Sequence, residues 1–430
     1  MPGPAPLTAQ AHRSILLLML LAPAAACSHP SAPGADDPTP PPEPELALVE
    51  ELGRDIFEDH DLSIRRNQSC ATCHDAAWGF KGSSAPSQGG IFQGSITGRF
   101  GNRAPLSAAY ATFAPVLQPS DATGGYVGGN FWDGRATGAE LGSPAAEQAR
   151  GPFLNPAEQG LPDMACVVLR VSRSDYAALY RQAWGSSIDQ IAFPAGADAL
   201  CGVEGSTLQL SPTDRERVRV EYDRIARSVA AFEGSAQVSA FSSKFDAWLK
   251  GTAQLTQQEH MGMMLFQGRA RCSNCHTIAG PRPLFTDFSY HNVGTPPNPD
   301  SPALARDPAF TDLGLGGPDG AAPGPPRWGL VRTPTLRNVD TRPSAMAIKP
   351  FMHNGALLTL KEVVRYYNTR DVLPACAPSA PRDSWGTTCW PTPTVTANLN
   401  VADMGDLRLN SFQEDAIVAF LRTLTDGYVP

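Results

Sequence analysis

Cys70-Ala71-Thr72-Cys73-His74 and Cys272-Ser273-Asn274-Cys275-His276 are two Cys-x-x-Cys-His runs in one chain. In such a run the two thiols add across the vinyl groups of a haem, and the histidine that follows turns back onto the iron. That chemistry fixes both residue type and spacing, so the runs imply two covalently attached haem c groups with His74 and His276 as iron ligands. A single tetrahedral zinc site would have to join two runs far apart in the sequence and would leave each histidine without a use.

Haem attachment of this kind takes place outside the cytoplasm. Ser14 to Leu21 is an apolar run too short to span a bilayer, preceded by Arg13 and followed by Ala24-Ala25-Ala26-Cys27. Residues 1–27 therefore read as a signal peptide, with Cys27 as a lipidated first residue anchoring the mature protein to a membrane. Ordinary cleavage after Ala26 is the alternative, because Ala24 stands where a lipoprotein signal usually has Leu. Of the 9 cysteines, those not used by haem or lipid are Cys166, Cys201, Cys376 and Cys389, an even number for an oxidising compartment. Proximity suggests the pairs Cys166/Cys201 and Cys376/Cys389, each stabilising by about 3 kcal/mol in the chain-entropy view, with other pairings open.

Residues 28–45 are rich in Pro and poor in apolar side chains, an extended tether of roughly 50 Å. The remaining chain is long enough for two cores. A formal net charge of -8 argues against a nucleic-acid role and suits a positively charged protein partner.

Helical spacing marks Leu46, Val49, Leu52 and Ile56/Phe57 ahead of the first run. Ser211, with Pro212 in the first turn, opens a helix whose buried face is Val218, Tyr222, Ile225, Val229 and Phe232. Thr256 and Glu259 form a capping box ahead of the second run, and Ser411 with Glu414 opens a closing helix through Phe420 and Leu424. Residues 81–102 and 294–328 are Gly/Pro-rich and read as long functional loops. The fold class is mainly α: two c-type cytochrome domains, residues 46–248 and 249–430, each wrapped around a covalent haem, joined near residues 245–252.

Several ordered segments carry a resemblance. Leu52 to Phe57, Phe131-Trp-Asp-Gly-Arg135, Gly151-Pro-Phe-Leu-Asn-Pro156 and Tyr222 to Ala226 lie in the first half. Phe285 to Phe288, His291 to Gly294, Thr333 to Asn338, Met352-His-Asn-Gly355 and Thr359 to Val364 lie in the second. From about Glu45 to its end the chain resembles the bacterial di-haem cytochrome c peroxidase and MauG superfamily.

The resemblance implies a periplasmic enzyme with an N-terminal peroxidatic haem and a C-terminal electron-transfer haem. In the gated peroxidases a His after the first run plugs the N-terminal iron; here Asp75 to Pro105 contains none, so that iron reads as open, with a Met or a His from elsewhere in the chain as the alternative plug. The register places Tyr367 as distal ligand of the C-terminal haem, where a hard anionic phenolate favours high oxidation states; Met352 as ligand, or Tyr367 as a packed aromatic, are the alternatives. Glu158 is carried over as the proton shuttle and Gln148 as the group orienting peroxide, with Pro152 between them, although residues 136–146 exceed the family's usual spacing. Trp132 matches the family tryptophan between the haems. A calcium ion is implied on the Asn102 side chain and the carbonyls of Ile348 and Pro350, with Asn102 one residue out of the common Asn-x-Pro order. His353 and His291 read as satisfied structural histidines, and His60 as a surface residue.

The functional expectation is reduction of hydrogen peroxide with electrons from a small redox protein such as a cytochrome c or cupredoxin. A MauG-like enzyme oxidising side chains of a partner protein is the first alternative. A non-catalytic di-haem electron carrier is the second.

Overall fold

The computed structural model describes Gly3, residues 45–121 and residues 124–429. The expected signal peptide, Cys27 and all of the tether but Glu45 lie outside the described residues. Among the described residues no helix is long and apolar enough to cross a membrane.

The helices are α1 (Leu46–Glu58), α2 (Pro144–Leu154), α3 (Met164–Ser172), α4 (Ala177–Trp184), α5 (Ala197–Leu200), α6 (Pro212–Gly234), α7 (Lys244–Leu249), α8 (Gln257–Gln267), α9 (Pro302–Arg306), α10 (Leu360–Thr369) and α11 (Ser411–Arg422). Three small antiparallel ladders complete the framework. Ser87–Gln88 (β1) pairs with Ile91–Phe92 (β2), Gln118–Ser120 (β3) with Gly125–Val127 (β4), and Tyr290–His291 (β5) with Val331–Arg332 (β6). Residues 81–102 thus contain β1 and β2, and residues 294–328 contain α9, rather than being wholly irregular.

α1 and α6 follow their sequence patterns, burying Val49, Leu52, Ile56 and Phe57 on one and Val218, Tyr222, Ile225, Val229 and Phe232 on the other. Ser211 caps α6 by accepting from the Asp214 N–H, and Thr256 with Glu259 forms the box that opens α8. The box on α11 is shifted by one from the expected position. Asn410 and Gln413 satisfy each other's backbone N–H at 2.9 and 3.0 Å, while the Ser411 hydroxyl accepts from Lys361 at 3.3 Å.

From Pro44 onward the chain packs as one unit holding two large hydrophobic cores. The first draws on residues between Val49 and Phe241, the second on residues between Phe245 and Leu424. The same device builds both. Gly53 of α1 lies against the backbone of Ser228 and the Phe232 side chain in α6, and Gly262 of α8 lies against Ala416 and Phe420 in α11. A Cβ at either glycine would strike the facing backbone, so each crossing is possible only with Gly. Each crossing pairs the helix before a Cys-x-x-Cys-His run with the helix that closes its half. Residues 245–252, expected as the join, hold α7, whose Phe245 belongs to the second core.

Arg337 ties the two cores. Its guanidinium is fully buried, makes a two-pronged pair with Asp246 at 2.8 and 2.9 Å, and lies 4.4 Å from the Phe241 ring and 5.1 Å from the Tyr110 ring. The disulfides Cys166–Cys201 and Cys376–Cys389 form as proximity suggested, and the remaining described cysteines are free.

Candidate active site

The two Cys-x-x-Cys-His runs are built alike. Each begins as a single 3-10 turn, Cys70–Thr72 and Cys272–Asn274, and the N–H of each histidine closes back onto the carbonyl of the first cysteine. The His74 Nδ1 donates to the Phe80 carbonyl at 2.9 Å, and the His276 Nδ1 to the Phe285 carbonyl, also at 2.9 Å. A fixed Nδ1–H leaves Nε2 as the free donor atom, which is the arrangement an axial iron ligand needs. Both phenylalanines hold positive φ, 58° at Phe80 and 53° at Phe285. Such a conformation is uncommon for a bulky residue, and in both halves it aims a carbonyl at an imidazole.

Burial lowers the pKa of both histidines and pushes the Cys73, Cys272 and Cys275 thiols up to about 12. No cluster of His, Cys, Asp or Glu able to hold a bare metal ion occurs among the described residues, which excludes the joint zinc site. Four unpaired buried thiols beside two cavities, each with an oriented imidazole, fit two covalent haems.

The first cavity, about 1020 Å³, is lined by His74, Trp132, Gln148, Pro152, Glu158 and Glu233 among others. Among the described residues, His74 supplies its only imidazole, and its walls include no thioether, phenol or amine. Gln148 and Pro152, four residues apart, share one face of α2. The long segment before α2 is gathered in by Glu147, whose carboxylate accepts from the N–H groups of Gly138, Glu140 and Leu141 at 2.6, 2.7 and 3.0 Å, so Gln148 still reaches the cavity. Glu158 sits in the turn beyond α2, where the Asn155 amide donates to it at 3.0 Å. Burial raises its pKa, opposed by Arg135 and by the Asn155 hydrogen bond.

The second cavity is lined by His276, Tyr367, Met352, His353, His291 and Lys81 among others. α10 separates its adjacent tyrosines. Tyr366 is fully buried and donates to the Gly294 carbonyl, while Tyr367 lines the cavity. Burial, with Cys275 and Cys272 nearby, raises the Tyr367 phenol pKa. Met352 lines the same cavity and is the other donor the sequence named.

Trp132 lines both cavities. Its Nε1–H donates to the Ala104 carbonyl at 2.8 Å, and its ring centroid lies 6.2 Å from that of His353. His353 is not the satisfied histidine expected: its Nε2 is 3.7 Å from Asp312, and its Nδ1 has no partner. His291 accepts or donates at Nε2 with the Ser289 hydroxyl at 2.7 Å, and His60 is exposed.

Sequence reasoning missed Glu233, Gln159 and Gln68, all buried and all in the first cavity wall. Glu233 has an unpartnered Oε2, and burial pushes its pKa up to about 8. Neither amide atom of Gln159 has a partner. Glu233 carried a signal, since it follows Val229 at helical spacing on the buried face of α6.

Two of the three oxygens named for calcium, those of Asn102 and Pro350, do not fit that ion. The Asn102 side-chain oxygen accepts from the Arg306 guanidinium at 2.5 Å, and the Pro350 carbonyl accepts from the Lys81 ammonium at 2.9 Å. Both are already taken by cations.

The profile of the di-haem cytochrome c peroxidase family matches residues 48–254. The chain is 32% identical over 421 residues to the methylamine utilization protein MauG of Paracoccus denitrificans, covering 95% of this chain and 94% of that one. It is 27% identical to the cytochrome-c peroxidase IdrP1 of Denitromonas iodatirespirans, over 83% of this chain and 84% of that one. The crystal structure of the diheme peroxidase BthA from Burkholderia thailandensis superposes with a TM-score of 0.68 at 30% identity, covering 90% of this chain and 87% of that chain.

Proposed function

This chain belongs to the di-haem cytochrome c peroxidase and MauG family of haem oxidoreductases, and from that premise we propose a peroxidase whose N-terminal iron site is open to hydrogen peroxide in the fully oxidised protein. Haem bound at the two runs supplies the iron at which peroxide is reduced and the redox centre that passes electrons to it. Residues 46–248 and 249–430 would each hold one haem, through Cys70, Cys73 and His74 and through Cys272, Cys275 and His276. A signal peptide over residues 1–27 would send the enzyme to the periplasm, where lipid on Cys27 would tether it.

One observation carries the reading: among the described residues, the wall of the first cavity holds His74 as its one imidazole and no Met, Tyr or Lys, yet it presents the carboxyl group of Glu158. Glu158 takes the proton from peroxide and returns it to the leaving oxygen, a role its raised pKa suits. Gln148 orients the peroxide. Trp132 gives up an electron toward the first site and recovers one from the second, since an indole at both walls shortens each step. Tyr367, in the wall of the second cavity with His276, would help hold the iron of a haem there.

The electrons come from a small redox protein in the first reading. The place of Tyr367 in the second cavity wall, with His276, supports a second, MauG-like reading, because a haem there with a phenolate ligand would favour high oxidation states and could act on side chains of a partner protein. Electron paramagnetic resonance of the ferric protein tests the open site. One high-spin and one low-spin signal are expected; two low-spin signals would refute it.

A further inference from the structure

The family likeness implies a calcium ion between the halves, and the chain fills that place with its own cations. Asn-x-Pro order puts the ion's side-chain ligand two residues before Pro105, and that residue is Arg103. Its guanidinium grips Asp312 with two hydrogen bonds at 2.6 and 2.7 Å and reaches Asp133 at 2.5 Å. Asp133 belongs to the segment that carries Trp132, and Asp312 to the second half, so the guanidinium bridges the two. Burial alone would raise the Asp312 pKa; Arg103 and His353 instead hold it well below the usual carboxylate range. The neighbouring Ala104 donates its N–H to the His353 carbonyl at 2.8 Å, which sets Arg103 beside the Pro350 to His353 segment.

One backbone oxygen of that segment, the Pro350 carbonyl, is engaged by a cation, and the neighbouring Lys349 spans the halves by itself. Lys81, from the first half, donates to the Pro350 carbonyl at 2.9 Å. Lys349, only 2% exposed, donates to the carbonyls of Trp78, Asn338 and Thr341 at 2.7, 3.0 and 3.0 Å. Trp78 lies in the first half and Asn338 and Thr341 in the second, so this lysine also binds oxygens from both sides. Calcium takes six to eight oxygens at close range, and carbonyls already facing ammonium groups leave no such shell.

We propose that Arg103, Lys81 and Lys349 replace the divalent ion at the junction of the halves, so that the protein contains no calcium there and needs none for assembly or for its reaction with peroxide. The proposal rests on family membership and not on the open-site reading, and calcium content is measured independently of any activity.

The test is elemental analysis of the haem-loaded protein after dialysis against calcium chloride and then calcium-free buffer, with peroxide reactivity measured before and after EGTA. Less than about 0.1 calcium per chain, and a reaction rate unchanged by EGTA, are expected. About one calcium per chain surviving dialysis, or a rate that falls with EGTA and returns with calcium, would overturn the proposal. Lys81→Met supplies the second arm, since it keeps the side-chain length without the charge. Its melting temperature should fall by several degrees and calcium should not restore it; a melting temperature equal to that of the parent would overturn the role given to Lys81.

Discussion

The indole of Trp132 donates to the carbonyl oxygen of Ala104 at 2.8 Å, and Ala104 in turn donates to the carbonyl of His353 at 2.8 Å. This short chain holds a 6%-exposed tryptophan in the wall shared by two cavities, with each iron-binding histidine in a different one. Replacing Trp132 by Phe removes the indole N–H and the oxidisable ring while preserving most of the packing. The variant should lose about 1–2 kcal/mol of stability from the unpaired Ala104 carbonyl. It should still react with peroxide, but rapid-mixing absorbance should show the second haem responding more slowly than in the parent.

Glu158 is held by Asn155 in a wall where burial raises its pKa. As a base it acts in its ionised form, so the peroxide rate should fall as pH drops through a pKa above the ordinary carboxylate value. Glu158→Gln should lower that rate by about 100- to 10,000-fold and flatten its acid limb. A variant with a parental pH profile would remove Glu158 from the mechanism.

Tyr367 faces the second cavity while its neighbour Tyr366 is locked to the Gly294 carbonyl. Tyr367→Phe should leave two covalent haems per chain in the pyridine haemochrome assay, because no cysteine is touched. The low-spin ferric signal of the second haem should change, and the peroxide-oxidised protein should decay faster. An unaltered low-spin signal would transfer the ligand role to Met352.

Glu233 gives a pH dependence of opposite sign to that of a paired carboxylate. Burial pushes its pKa up to about 8, so at intermediate pH the folded chain keeps a proton that the unfolded chain has released. Its contribution to stability is complete below the ordinary carboxylate pKa and is lost as pH rises through about 8. Glu233→Gln should therefore flatten the decline in melting temperature between about pH 6 and 9, gaining up to a few kcal/mol at the alkaline end. Thermal denaturation of both proteins across that range is the check.

Among the described residues, Asp246 is the one carboxylate in ion-pair contact with the fully buried Arg337 guanidinium, with Asp426 acting on it from farther off. Asp246→Asn leaves that charge unpaired between the cores and should cost about 3–5 kcal/mol, read from the urea midpoint. A loss under about 1 kcal/mol would mean that the facing rings of Phe241 and Tyr110 suffice to hold the cation.

The local chemistry of this chain is written plainly in its sequence. Cys70-x-x-Cys73-His74 and its counterpart, the Ser211 and Thr256 caps and the apolar faces of α1 and α6 all involve residues within a few positions of one another. Tyr367 and Glu158 were legible only through resemblance, because an aromatic on a helix and an acid in a turn have many ordinary uses; both line the cavities named for them. The junction was not legible. Arg103 meets Asp312, Lys349 meets Trp78, and Arg337 meets Asp246 across long sequence separations, and nothing local distinguishes these cations from solvated ones. The Asn102 expectation rested on a familiar order offset by one residue; on the replacement proposed above, that offset marks Arg103, whose partner Asp312 lies in the other half.

Rapid mixing of the fully ferric protein with one equivalent of hydrogen peroxide, in the absence of reductant, tests the open first site most directly. The expected result is prompt loss of the ferric Soret band followed by slow return, with no lag and no need for prior reduction. A spectrum that stays unchanged until one haem has been reduced would contradict the account and point to a gated peroxidase.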